Sequence, residues 1–210
     1  MNFDRVAPHY RWLETIVFGQ QLQQARVAFV REIEAPRRVL MVGEGDGRFL
    51  AEFVRLHPRA KIDCLDASAR MIALARARLG SGPQVSFIQA DLREFLPEKD
   101  RYDLVVTHFF LDCFTGAALR EVVQRLAAGA TADAVWLLAD FRVPEGGWQR
   151  SPARFWIRAM YLFFRLTSGL EARRLHDPAP FLRANGFACK RERTSCFGMI
   201  QSSVWQRLAE

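Results

Sequence analysis

The chain has 210 residues, half of them hydrophobic and a quarter charged, a balance that fits one folded domain and excludes a disordered chain. No apolar run reaches the roughly 20 residues of a membrane-spanning helix, and the first residues lack the basic and then apolar pattern of a secretory signal, so we expect a cytoplasmic protein. The net charge of +7 lies near the end, because residues 1–140 hold 18 basic and 18 acidic residues whereas residues 141–210 hold 12 and 5.

The first 35 residues predict helices. Apolar residues recur at helical spacing from Trp12 to Val17 and again from Leu22 to Ile33, before Pro36 interrupts the pattern. Residues 37–42 then form a short apolar run that ends in glycines, which indicates a strand buried on both faces.

Strands and helices alternate from there to Asp140. The apolar patterns predict helices over 48–56, 68–79 and 117–126, and further strands over 61–65, 84–89, 102–109 and 134–139, with Ser68 as an N-cap. This alternation is typical of βαβ units. We therefore predict an α/β fold of Rossmann type, with a mostly parallel seven-stranded sheet and helices on both faces.

The regular alternation of strands and helices ends after Asp140. A loop over 143–147 precedes a very apolar helix over 152–166, and Asp177 with Pro178 begins a last helix that ends near 185–187. Two strands follow, over 189–194 and 199–207. The chain is thus predicted to be one domain of three parts: a helical cover (1–35), a ligand-binding core (36–140) and a substrate-side segment with the last strands (141–210).

A glycine-rich turn joins the first strand to the next helix. Gly43, Gly45 and Gly47 give the spacing G-x-G-x-G, whereas a dinucleotide site requires G-x-G-x-x-G, and no P-loop lysine follows. Asp66 and Asp91 come at the ends of the second and third strands. Carboxyl ends of parallel strands meet at one edge, where a carboxylate can accept hydrogen bonds from ribose hydroxyls. The alternative is that both aspartates cap the helices that follow them.

Over residues 3–10, 39–47, 66–71, 90–92, 102–108 and 184–187 the chain resembles the class I S-adenosylmethionine-dependent methyltransferases, and within them the ubiquinone/menaquinone-biosynthesis C-methyltransferase group. The resemblance implies the methyltransferase form of the Rossmann-like fold, with S-adenosyl-L-methionine as cofactor and S-adenosyl-L-homocysteine as product. It also implies roles for single residues. Around the methionine part of the cofactor, Gly43, Gly45 and Gly47 would wrap the chain, and Thr107 and His108 would lie beside it. Asp66 would bind ribose, Ala67 and Met71 would flank adenine, and Asp91 with Leu92 would meet the amino edge of adenine. Tyr10 would cover the cofactor.

The chain departs from that family inside the loop. Met41 stands where the family usually has an acid that helps to hold the cofactor's ammonium group, and the loop itself carries Glu44 and Asp46. We expect Glu44 to take over part of this role, because a buried amine without a counter-charge is costly. The alternative is a solvent-facing Glu44 and a weaker cofactor site.

Methyl transfer requires mainly alignment of the reactants, and a general base only where the acceptor must lose a proton. His108 and Asp112, which follow the fourth strand, are the chosen catalytic candidates, with His9 and Tyr10 considered beside them. The alternative is that His108 packs against the cofactor and Asp112 caps a helix. The four cysteines are scattered, so we expect no metal site and a core role for Cys64.

The helix over 152–166 allows three interpretations: a helix packed on the sheet, an aromatic lid over a flat acceptor, or an interfacial helix that contacts a membrane. Our leading hypothesis is O- or C-methylation of a small apolar or aromatic acceptor, whose acidic group meets arginines of the last third. One alternative is a nucleic-acid or protein methyltransferase that uses the basic end, although the Asn-Pro-Pro-Tyr type of motif is missing. Another is a non-catalytic cofactor-binding protein of this fold. The sequence gives no indication of oligomeric state.

Overall fold

The computed structural model describes residues 20–80, 84–144 and 175–208. Tyr10, most of the predicted N-terminal cover and the predicted helix over 152–166 lie outside these residues. The described helices are α1 Gln21–Val27, α2 Arg48–Leu56, α3 Ala69–Leu79, α4 Gly116–Ala128 and α5 Ala179–Ala184, with 3-10 turns at Val30–Glu32 and Leu111–Cys113. The strands are β1 Arg38–Val42, β2 Lys61–Asp66, β3 Val85–Gln89, β4 Tyr102–His108, β5 Ala130–Phe141, β6 Phe187–Ser195 and β7 Ile200–Arg207.

The seven strands form one sheet in the order β3-β2-β1-β4-β5-β7-β6. The pairs among β1 to β5 are parallel, while β7 runs antiparallel to both β5 and β6. This confirms the predicted mostly parallel α/β sheet. The strand order reverses between β1 and β4, and in open α/β sheets the crevice beyond the carboxyl ends at that point is where ligands bind.

Both faces of the sheet are covered, which explains why its central strands read as continuous apolar runs. On one face Phe49 and Phe53 of α2 pack with Met41 and Val106. The opposite face packs against α4 and α5, around the buried Trp136. Cys64 is a free, buried core residue, as predicted. Within the described residues no helix has the length and apolar character needed to cross a bilayer.

Two predicted boundaries are wrong. β5 begins at Ala130 rather than at residue 134, because its register with β4 is irregular: Tyr102 pairs with Ala130 but Leu104 with Val135. The intervening polar residues show no strand pattern in the sequence. The helix predicted through Ile33 ends at Val27, where the chain passes through Phe29 (φ −124°) into a 3-10 turn, so that Phe29 and Val30 both enter the core.

Candidate functional site

The turn between β1 and α2 depends on its three glycines. Gly43, Gly45 and Gly47 have φ values of +69°, +67° and +77°, a left-handed conformation that other residues adopt at a cost. A Cβ at Gly43 would lie 2.4 Å from Cδ2 of Phe110, and one at Gly47 would lie 2.8 Å from Cα of Ala75. A Cβ at Gly45 would meet no atom within 4 Å. Two glycines therefore allow close packing, and the middle one leaves an open approach to the backbone.

A cavity of about 110 Å³ lies beside this turn, at the carboxyl ends of β1, β2, β3 and β4. It brings together most residues that the sequence analysis assigned to the cofactor: Gly43, Glu44, Gly45, Asp66, Ala67, Met71, Asp91, Leu92 and His108. This volume is below the roughly 300–1,000 Å³ of typical ligand pockets. Phe110 also lines the cavity, and its ring lies against Gly43.

Three of the proposed site residues are not among the described residues that line the cavity. Thr107 is fully buried, and its Oγ1 accepts a hydrogen bond of 2.8 Å from Nε1 of Trp136 in the core. Gly47 precedes α2 and packs on α3 instead. Asp112 is buried in the turn after β4. The expected contact between Thr107 and the cofactor is thus not supported, because strand alternation directs its side chain into the core.

Asp66 and Asp91 line the cavity and also make local hydrogen bonds. Oδ1 of Asp66 accepts from the backbone N–H of Ser68 at 2.9 Å, and Gly45 donates to Oδ2 at 3.4 Å. Asp91 accepts from Arg93, whose hydrogen bond lowers the pKa of Asp91 to about 2. The helix cap itself is Ser68, whose hydroxyl accepts from Met71 as predicted. Both aspartates therefore accept hydrogen bonds from nearby residues of the chain and at the same time line the cavity.

Glu44 is buried, so the predicted alternative of a solvent-facing side chain is wrong. Its Oε1 accepts a 2.8 Å hydrogen bond from the backbone N–H of Leu50 in the first turn of α2, a favourable place for a carboxylate. Burial raises the pKa of Glu44 to about 7, although the positive charge of Arg26 opposes this rise. Met41 of β1 is a core residue and brings no acid to the cavity, so Glu44 contributes a buried carboxyl at this wall.

Asp46, the other acid of the loop, is already paired. Its carboxylate contacts Arg48 at 3.1 Å and Arg78 at 3.1 Å. Arg78 also donates to the backbone carbonyl of Asp46 at 2.9 Å. This network ties the loop to α3 and leaves Glu44 as the acid of the loop that is buried beside the cavity.

The structure does not favour His108 as a base. Its ring stacks edge-on against Phe49, with centroids 4.5 Å apart, and burial followed by the charge of Arg26 lowers the pKa of His108 to about 3. Such an imidazole is neutral and weakly basic near pH 7. Asp112 differs, because burial raises its pKa to about 6. Sγ of Cys113 lies 3.7 Å from Oδ1 of Asp112.

Three further residues line the cavity without having been predicted from the sequence: Arg26, Phe109 and Phe110. The guanidinium of Arg26 lies 5.1 Å from the ring centre of Phe109. Arg26 follows the buried Leu22 by four residues, so helical spacing placed it on the same face. Phe109 has a φ of +53°, a backbone feature that no sequence pattern indicated.

The arginines in the described part of the last third have partners within the chain. Arg142 pairs with Glu192 and Arg191 with Glu32. The remaining three stack on aromatic rings: Arg183 on Trp205, Arg193 on Phe29 and Arg207 on Phe187. Each of these five guanidinium groups is therefore held by a neighbouring side chain. No three His, Cys, Asp or Glu side chains of the described chain are grouped for a metal ion.

Comparison with known proteins gives a consistent pattern. Residues 39–130 match a family model described as a methyltransferase domain. The chain is 36% identical over 80 residues to malonyl-[acyl-carrier protein] O-methyltransferase 1 of Ilyobacter polytropus, covering 38% of this chain and 30% of that protein. It is 35% identical over 78 residues to the malonyl-[acyl-carrier protein] O-methyltransferase of Halalkalibacterium halodurans, covering 36% and 29%. The matched part thus spans less than a third of either relative.

Solved structures show the same fold over nearly the whole chain. Mitomycin 7-O-methyltransferase aligns over 99% of this chain and 61% of its own, with a TM-score of 0.71 and 17% identity. The 1,6-didemethyltoxoflavin-N1-methyltransferase of Burkholderia thailandensis, solved with S-adenosylhomocysteine, aligns over 99% and 86%, with a TM-score of 0.67 and 16% identity. The seven-stranded sheet is therefore of the Rossmann-like methyltransferase type; the narrower ubiquinone/menaquinone grouping stays a prediction.

Proposed function

We propose that this chain, whose residues 39–130 match a methyltransferase domain, is a class I S-adenosylmethionine-dependent methyltransferase that transfers a methyl group to oxygen or carbon of a small apolar or aromatic acceptor. The observation that carries the proposal is the cavity at the β1/β4 reversal, where the open backbone at Gly45 faces the carboxyl end of β2 with Asp66. A nucleoside that carries a charged amino-acid group requires these two features at adjacent strand ends: a backbone that the ligand can approach closely and a carboxylate that accepts hydrogen bonds from ribose.

The residues of the cavity fit S-adenosylmethionine in kind. Asp66 would accept hydrogen bonds from ribose, and the carboxyl of Glu44 would face the ammonium group. Arg26, of opposite charge on the same wall, would complement the carboxylate of the amino acid. Ala67 and Met71 give the apolar surface that an adenine ring packs against. Asp91 and Leu92 complete the set at the end of β3.

When bound, the cofactor supplies an electrophilic methyl group on a sulfonium. The protein then has to orient the acceptor, exclude water and, for a hydroxyl acceptor, take up one proton. Asp112 stays the candidate for this proton, because burial raises its pKa and it lies in the turn after β4 next to Cys113, which lines the cavity. His108 retains a packing role against Phe49. The O-methyltransferase names of the curated relatives support oxygen as the acceptor atom.

The test is calorimetric binding of S-adenosylhomocysteine, with NADH as a matched control for a dinucleotide site. We expect binding of the first and none of the second, given the G-x-G-x-G loop. Incubation with methyl-labelled S-adenosylmethionine and a fractionated cell extract should then label a small-molecule pool. NADH binding in place of S-adenosylhomocysteine would contradict the proposal. Cofactor binding without label in any pool would favour the non-catalytic alternative.

A further inference from the structure

The ring of Phe110 narrows the cavity beside the glycine loop. Phe110 lines that cavity, and its ring lies so close to the loop that a Cβ at Gly43 would stand 3.0 Å from Cγ of Phe110. The cavity measures about 110 Å³, which is less than the roughly 300–1,000 Å³ of typical ligand pockets. A nucleoside that carries an amino-acid chain therefore needs more room than the cavity gives with the ring in this position.

The two halves of the cavity differ in their distance from the ring along the sheet edge. Asp66 and Met71 lie at and after the end of β2, where the nucleoside half of the cofactor would bind. Gly43 and Glu44 follow β1, where the amino-acid chain would bind. Because the ring of Phe110 lies against Gly43, it narrows the half that the amino-acid chain would take.

Apolar contacts hold the ring of Phe110 in place. It packs against Phe114, with ring centres 5.2 Å apart and ring planes at 64°, and against the apolar core on that face of the sheet. The residue is only partly buried. A phenyl ring moves between staggered positions by rotation about its Cα–Cβ bond, and no hydrogen bond of the side chain has to break for this. The ring can therefore leave Gly43 without unfolding the sheet.

The backbone next to the ring is strained. Phe109 has a φ of +53°, and a bulky residue adopts this left-handed conformation only where its surroundings fix it. Its N–H donates to the carbonyl of Ala139 at 2.6 Å, and its ring centre lies 5.0 Å from that of Phe141. Phe109 is thus anchored to β5, while Phe110 follows outside any helix or strand. Strain of this kind is frequent at ligand clamps and switch segments, which supports a functional role for this turn.

We infer that Phe110 is a displaceable plug over Gly43. Its ring excludes the amino-acid chain of the cofactor until it moves aside, whereas a nucleoside without that chain binds with the ring in place. Phe110 thereby determines ligand selectivity and takes no part in the chemistry of methyl transfer. The inference rests on the proposed function, because it takes S-adenosylmethionine as the ligand.

The test is a size series at residue 110 with two ligands. Calorimetry gives the affinity of the full chain for S-adenosylhomocysteine, and ligand-observed NMR gives its affinity for adenosine. We expect Phe110→Ala to raise the affinity for S-adenosylhomocysteine by about tenfold, the gain for a ring that is displaced in about a tenth of the molecules. Phe110→Leu should fall between the two, and Phe110→Trp should bind S-adenosylhomocysteine more weakly than the natural chain. The affinity for adenosine should change by less than about twofold in all three variants.

The association rate is a second readout, which a change in packing alone would not move. The gain in Phe110→Ala should lie mostly in the association rate constant, measured by surface plasmon resonance, because the plug lowers the fraction of chains that can accept the ligand. Phe95→Ala is the matched control, since Phe95 packs against the same core but is not among the described residues that line the cavity. It should leave both affinities unchanged.

A loss of S-adenosylhomocysteine affinity in Phe110→Ala would overturn the inference, because the ring would then be a wall that packs on the ligand. Equal affinities along the series would also overturn it but would retain the proposed function, since the cofactor product would still bind. An adenosine affinity that rises in parallel with that for S-adenosylhomocysteine would contradict the assignment of the ring to the amino-acid half. Failure of every variant to bind S-adenosylhomocysteine would reject the proposed function and the plug with it.

Discussion

The ring of Phe110 lies directly on Gly43, so that a Cβ added to this glycine would stand 2.4 Å from Cδ2 of the ring. The contact joins the loop after β1 to the turn after β4, the two segments that meet where the strand order reverses. The close packing of these two segments therefore depends on one glycine and one aromatic side chain.

We predict that Gly43→Ala destabilises the protein more than Gly45→Ala does. Both substitutions place alanine at a positive φ, which costs roughly 1–2 kcal/mol. The Cβ at residue 43 must also displace Phe110, whereas the Cβ at residue 45 meets no atom within 4 Å. Urea denaturation of both variants, and of each in a Phe110→Ala background, measures the coupling. The extra cost at residue 43 should disappear without the ring; a cost that persists would contradict the packing described.

We predict that Asp66→Asn lowers the affinity for S-adenosylhomocysteine by at least about tenfold, because hydrogen bonds to a charged group contribute roughly 1.5–3 kcal/mol. Asp63→Asn is the matched control on the same strand. Asp63 bonds to Arg101 and to the hydroxyl of Tyr102, and it does not line the cavity. Calorimetry should show unchanged affinity for the control. An equal loss in both variants would mean that Asp66 acts through strand stability alone.

We predict that Glu44 makes the stability of the ligand-free protein depend on pH. Its pKa is raised from 4.5 to about 7, so its neutral form is favoured on folding. Its contribution is fully present below pH 4.5 and is lost as the pH rises through 7, a change of about 3 kcal/mol at about 1.4 kcal/mol per pKa unit. Arg26, Asp46 and Asp66 are the charged neighbours that act on it.

Glu44→Gln should remove this dependence, since an amide oxygen can still accept from Leu50. The difference in unfolding free energy between the two proteins is measured in urea at pH 4.5 and pH 8. The variant should gain on the natural chain at pH 8 while binding S-adenosylhomocysteine less tightly there. A difference that is the same at both pH values would rule out a raised pKa.

We predict that Thr107→Val destabilises the fold by about 1–3 kcal/mol, because it leaves the buried N–H of Trp136 without an acceptor. Affinity for S-adenosylhomocysteine should not change, since Thr107 is not among the lining residues. Thr107→Ser, which keeps the hydroxyl, should retain most of the stability. Thermal unfolding and calorimetry on both variants test this, and a loss of affinity in Thr107→Val would restore the cofactor contact that the resemblance implied.

The sequence by itself determined the order of elements and the kind of ligand. Periodicities of 3.6 and 2 residues follow from the backbone geometry of helices and strands, so α2 and the cap at Ser68 could be placed from the chain alone. The glycine spacing and Asp66 indicated a nucleoside site, because carboxyl ends of parallel strands must share an edge. These features follow from local geometry and topology.

Tertiary structure alone decided which way the side chains face and what surrounds them. It buried Glu44 and His108, which raised the pKa of Glu44 and lowered that of His108, because burial favours the neutral form of each. It also turned Thr107 toward Trp136 and away from the cavity. It also buried Asp140 within reach of the charge of Asp112, 28 positions earlier in the chain, which raises the pKa of Asp140. Burial and charge proximity depend on contacts between distant segments, and no local pattern encodes them.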